Sequence, residues 1–226
     1  MKEIITDEFQ LSDRAEEIDV RKEGKLVQEI VRELKAVVRD KGLKGLSAPQ
    51  IGYNRRIIVI NFNGDIRSFV NPIYTNVSGI GLAKETCSSI PGKTFIRIRN
   101  TSVDVTYSTP LGKIETRKLF GLAAIVAQHE IDHLEGLLLS DVGLEVDEDY
   151  DNATDEEKEK IIEMYLDSLD LRRKEVHEVI DSDKDLSQTM KAIEFMQEVE
   201  TGETKLADKD YIFPKTDKEN SNEVWV

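Results

Sequence analysis

The chain has 226 residues, one cysteine and a formal net charge of −14, long enough for one sizeable domain with a core of its own. A single cysteine excludes an internal disulfide framework. With no signal-length or membrane-spanning apolar run, a reducing, cytoplasmic setting is expected. Residues 141–226 hold 27 of the 45 acids and 11 of the 31 bases, a local net of −16 against +2 for the rest. So acidic a segment disfavours nucleic acid and anionic lipid, and reads as a solubilising surface.

In chain order, Gly24 to Lys41 is expected to form an amphipathic helix. Leu26, Ile30, Val31, Leu34, Val37 and Val38 recur at spacings of three and four, and Gly42 stands where a C-terminal cap belongs. Lys44 to Gly52 reads as a glycine-containing turn, and Ile57 to Ile60 as a buried strand. Phe69 to Val77 suggests further extended chain. Alternation between Ile96 and Ile114, followed by Thr109-Pro110-Leu111-Gly112, predicts strand and hairpin. The apolar stretch Leu119 to Leu139 predicts a helix that stops near Glu135-Gly136.

Asp141 to Asp151 reads as an acidic loop. Thr154 with Glu157 then forms a capping box for a helix carrying Ile161, Tyr165, Leu169, Val176 and Val179 on one stripe. A further helix is expected from about Lys184 to Glu200, with a polar, irregular tail from Thr201 that includes Trp225. The predicted class is α+β: small, mostly antiparallel sheets around a central helix, with an acidic helical C-terminal extension.

Two of the three histidines and the only cysteine fall in two short segments. Gln128-His129-Glu130-Ile131-Asp132-His133 is a HExxH run. On a helix, residues four apart share a face, so His129 and His133 can turn their imidazoles toward one divalent ion. Glu130 sits beside that face, where a carboxylate can act as general base on a metal-bound water. A catalytic site of this kind needs a third ligand. Cys87, in Glu85-Thr86-Cys87-Ser88-Ser89, is the candidate; a zincin-type metallopeptidase would instead use a carboxylate beyond the helix, such as Glu145 or Glu148. A non-catalytic binding protein using its acidic helices is the third reading.

Three segments now stand in order: Gly45-Leu46-Ser47-Ala48-Pro49-Gln50-Ile51-Gly52, Glu85-Thr86-Cys87-Ser88-Ser89, and Gln128-His129-Glu130-Ile131-Asp132-His133-Leu134-Glu135-Gly136. Together the chain resembles the peptide deformylases, which carry a GxGLAAPQ-like turn, an EGCLS segment and a QHExDHLxG helix. The resemblance covers about residues 10 to 140 and implies removal of the N-formyl group from formylmethionyl peptides, with the ribosome as place of encounter. It implies that Cys87, His129 and His133 hold one divalent metal, iron(II) in the cell with zinc, nickel or cobalt as substitutes. It also implies that Glu130 shuttles the proton and that Gln50, by its side-chain amide, and Ser88, by its backbone N–H, stabilise the oxyanion. Gly45 would admit the substrate backbone, with Lys44 beside the pocket. On this view residues 1–180 form the catalytic domain and 181–226 an acidic extension and tail.

Four positions depart from the family pattern: Leu43 and Lys44 in the first motif, Thr86 and Ser88 in the second. They bear on substrate preference more than on metal binding. Leu122, Ile125 and Val126 are expected in the core, and Val126, one turn before the ligands, also in the pocket wall. Asp132 is expected to pair with Arg97 or Arg99, and His177 to lie on the surface.

Overall fold

A computed structural model describes residues 2–182 and Glu223–Trp225. After a short α1 (Glu8–Leu11) comes α2 (Gly24–Lys41), then β1 (Gly45–Ser47), a 3-10 turn at Pro49–Ile51, β2 (Ile57–Phe62), β3 (Asp65–Cys87), β4 (Ile90–Ser108) and β5 (Ile114–Phe120). Then follow α3 (Leu122–Leu134), α4 (Leu139–Val142), β6 (Leu144–Val146), α5 (Asp155–Ser182) and β7 (Glu223–Trp225). The expected first helix matches α2, and Gly42 closes it at φ 68, a left-handed turn that glycine adopts without steric cost.

Instead of small separate sheets there is one connected sheet of seven strands, ordered β1-β2-β3-β4-β5, with β6 on β4 and β7 on β3. The pairings are antiparallel except for the parallel β3–β7. β3 is 23 residues long and β4 19, longer than the alternation suggested. Register shifts after Val70, Tyr74 and Thr86 let β3 run beside β2 first and β4 later without flattening the sheet.

The unbroken apolar run of β2 has a simple cause: both of its faces are covered. Ile57 and Val59 enter the core formed with α2, and Ile58 and Ile60 the core formed with α3. Successive strand residues point to opposite faces, so a strand buried on both sides cannot alternate with polar residues. α3 is buried on nearly every side, including at Gln128, His129, Glu130 and His133.

Two polar anchors set where α3 sits. Gln128 accepts the Asn100 N–H at 2.9 Å and donates to the Asn100 carbonyl at 2.8 Å, tying the helix to β4. At the far end, buried Arg56 donates to the Leu134 carbonyl and pairs with Glu135 at 2.8 Å. Gly136, at φ 74, then turns the chain so tightly that a Cβ would lie 2.1 Å from the Ser12 carbonyl oxygen.

The expected acidic loop is more ordered than its composition suggests, holding α4, β6 and a 3-10 turn at Glu148–Asn152. The capping box forms: the Thr154 N–H donates to Glu157 at 2.7 Å, and the Glu157 N–H to Thr154 Oγ1 at 3.3 Å. Tyr165 of α5 is buried against Ile80 and Ile98 and donates to the Val142 carbonyl at 2.8 Å. The helix expected from Lys184 to Glu200 lies outside the described residues. The expectation of an irregular tail fails at Glu223–Trp225, which pair with Lys84–Thr86. Among the described residues no helix is long and apolar enough to cross a membrane.

Candidate active site

Glu85 and Cys87 are two apart on β3 and so share one face of the strand. α3 brings His129 and His133 to that face. One ligand atom from each of Cys87, His129 and His133 lies within 4.8 Å of the others, and all three residues are buried. His133 Nε2 stands 3.3 Å from the Cys87 sulfur. His129 turns its Nδ1 to Glu85 Oε2 at 2.8 Å. Its buried Nε2 has no hydrogen-bond partner among the described residues, and neither does either oxygen of Glu130.

Behind Glu85 runs a chain of charge. Arg99 donates to both Glu85 oxygens, at 2.6 and 2.9 Å, and pairs with Asp132 at 2.5 Å. Arg97 reaches the same Asp132 oxygen at 3.3 Å. Asp132 therefore pairs with both arginines that the sequence offered as alternatives. Burial works against the Glu85 carboxylate, but the Arg99 charge and hydrogen bonds hold its carboxyl well below the usual range.

The same balance shapes the ligands. Burial opposes a Cys87 thiolate, yet the charge of His133, its close nitrogen and the neighbouring His129 hold the thiol well below its ordinary value. Burial opposes a charged His129 too, but Cys87 and Glu85 beside it raise the group to about 10. Burial pushes Glu130 up to about 8, His129 opposing and Cys87 and Glu85 adding to it. A buried thiolate, a second imidazole nitrogen beside it and an unpartnered Nε2 fit a divalent, borderline-soft cation. Such a charge would displace the His129 proton and draw Glu130 back toward its ionised form.

Gln50, in the Pro49–Ile51 turn, donates its Nε2 to Ser89 Oγ at 3.2 Å and faces the Cys87 sulfur at 3.7 Å. Its Oε1 accepts from the Ser47 N–H at 2.9 Å and the Ser47 hydroxyl at 3.0 Å. Gly45 lies against α3, where a Cβ would stand 2.6 Å from both Glu130 Oε1 and Val126 Cγ1. Lys44 is half-buried beside it, its carbonyl accepting the Asn61 N–H. Ser88 occupies the tight turn between β3 and β4, with its hydroxyl oxygen buried and unpartnered among the described residues.

Cys87, His129, His133, Glu130, Gln50, Gly45 and Val126 thus converge, while the side chain of His177 lies outside the described residues. Sequence reading assigned no role to Glu85, Ser47 or Ser89. The shared strand face of Glu85 and Cys87 was a usable signal for the first; the others depend on a turn geometry that spacing does not encode.

The polypeptide deformylase family model matches residues 1–147. The chain belongs to the polypeptide deformylase family. It is 34% identical over 126 residues to the peptide deformylase of Dictyoglomus turgidum, covering 56% of this chain and 82% of that one. A solved structure of a probable peptide deformylase from the Synechococcus phage S-SSM7 matches with TM-score 0.54 and 35% identity, over 62% of this chain and 99% of that one. The peptide deformylase of the Vibrio parahaemolyticus bacteriophage VP16T, solved in complex with actinonin, matches with TM-score 0.56 and 33% identity, over 61% and 98%. Family membership displaces the zincin and non-catalytic readings. Glu145, one zincin candidate, is instead paired with Lys93 on the surface at 2.8 Å. The match to the family model ends at residue 147, before α5 begins.

Proposed function

We propose a residue-level account of the deformylase reaction in this chain, which as a peptide deformylase removes the N-formyl group from nascent polypeptides and releases formate. Cys87, His129 and His133 hold one divalent ion, iron(II) in the cell, with zinc, nickel or cobalt as substitutes. The observation that carries this is the buried sulfur and nitrogen set, with ligand atoms within 4.8 Å of one another. Bound there, the ion supplies Lewis acidity to the formyl carbonyl and to the attacking water.

The protein's own groups do the rest. Glu130 is buried with both oxygens free of hydrogen bonds among the described residues, so it takes a proton from the attacking water and delivers it to the departing amine. Gln50 Nε2 and the Ser88 backbone N–H donate to the oxyanion that forms at the formyl carbon. Gly45 leaves room for the substrate main chain beside Glu130. Val126, packed against Gly45, lines the site for the methionyl side chain, with Lys44 next to Gly45.

Residues 1–180 serve as the catalytic unit and 181–226 as a solubilising extension, in a cytoplasmic enzyme meeting its substrate at the ribosome. Formate release from a formylmethionyl peptide by protein loaded anaerobically with iron(II) tests the account. Glu130→Gln should keep its metal and lose on the order of 10² to 10⁴ in rate. Activity within tenfold of the parent would remove Glu130 from the mechanism, and a Cys87→Ala protein that keeps its full metal content would remove the thiolate ligand.

A further inference from the structure

We infer that Ser47 is a positioning residue: its hydroxyl, with its backbone N–H, locks the Gln50 side-chain amide so that Nε2 faces the Cys87 cluster. The inference rests on the reading of Gln50 as an oxyanion donor and adds a residue outside the three motif roles.

A glutamine amide is nearly symmetric in shape, so only its hydrogen bonds decide which end points where. Oε1 can accept two bonds, and Ser47 supplies both, at 2.9 Å from its N–H and 3.0 Å from its hydroxyl. Turning the amide over would set the NH2 group against the Ser47 N–H, donor against donor, and would turn Oε1 toward the Cys87 sulfur. Ser47 and Gln50 are both fully buried, so water cannot step in to satisfy the reversed amide.

The hydroxyl adds something the backbone alone does not. A donor into the carbonyl end of an amide polarises it and makes the N–H end a better donor, and this counts most where water is absent. That end is the one facing the metal ligands, 3.7 Å from the Cys87 sulfur.

The test is a double-mutant cycle on the full-length, metal-loaded protein with a formylmethionyl peptide. Ser47→Ala should lower kcat by about three- to tenfold with KM changed by less than about twofold, the range of one buried hydrogen bond. Ser47→Cys, isosteric but a weaker donor, should fall between. Gln50→Ala should lose on the order of 10² or more. Adding Ser47→Ala to Gln50→Ala should then cost nothing further, because the group it positions is gone. In zinc-loaded, 15N-labelled protein the two Nε2 proton signals of Gln50 should broaden in Ser47→Ala, with bound metal and Tm unchanged. If Gln50→Ala has nearly full activity, the reading of Gln50 is wrong and the proposal falls with it. If Gln50→Ala is impaired but Ser47→Ala costs the same factor with or without Gln50, the positioning role alone is overturned.

Discussion

Glu85 Oε2 lies 2.8 Å from His129 Nδ1, and that contact decides which nitrogen of His129 is left for a metal. With Nδ1 engaged, Nε2 is the remaining donor, and it is the one without a protein partner. Partners of this kind fix the tautomer and angle of a ligating imidazole, and losing one typically weakens metal binding 10- to 100-fold. Glu85→Gln should therefore lower metal affinity by about that factor, read by competition with a chelator of known affinity. An unchanged affinity would mean that α3 alone orients His129.

Arg99 is the next link, paired with Glu85 and Asp132 and 3% exposed. Arg99→Met should destabilise the fold by about 3–5 kcal/mol, because it removes the guanidinium partner of the fully buried Glu85 carboxylate and leaves half-buried Asp132 with Arg97 alone. A lowering of Tm by roughly 10 °C follows for a chain of this size. Lys113→Ala, which removes an exposed pair with Glu115, should leave the melt unmoved. Equal melts for the two variants would show that the internal chain of charge contributes no stability.

Gly45 makes a third test. A methyl group there would stand 2.6 Å from Glu130 Oε1 and from Val126 Cγ1, so one of them has to move. Gly45→Ala should keep the metal but lower kcat/KM by roughly 10- to 100-fold through misplacement of Glu130 and a narrower pocket. Full activity would mean that β1 relaxes away from α3 at no cost.

The C-terminal third is best probed by length. A chain ending at Ser140 loses β6, which pairs with β4, and the buried Tyr165. It should melt well below the full-length protein or precipitate, since apolar surface of β3 and β4 is bared. A chain ending at Ser182 should keep its metal and most formyl-peptide hydrolysis. Loss of hydrolysis by a folded protein of that length would show that β7, beside Lys84–Thr86 and one residue from Cys87, supports the site.

Local order and chemical class were legible in the residues themselves. The three- and four-residue spacing of α2 with Gly42 after it, the β-branched run of β2 and the Thr154–Glu157 box each rest on contacts between near neighbours, which sequence encodes directly. His129 and His133 were legible as one helical face, with Glu130 beside it, for the same reason, and Cys87 by the scarcity of its side chain. Tertiary structure decided what depends on distant backbone. It set the single sheet, the register shifts that bend β3, and the burial of β2 on both faces. It also decided the pairing of Glu85 with His129 across 44 positions and the capture of Gln50 by Ser47 inside a turn. Those contacts arise only where separate strands and a helix are packed together, because no local spacing sets the distance between them.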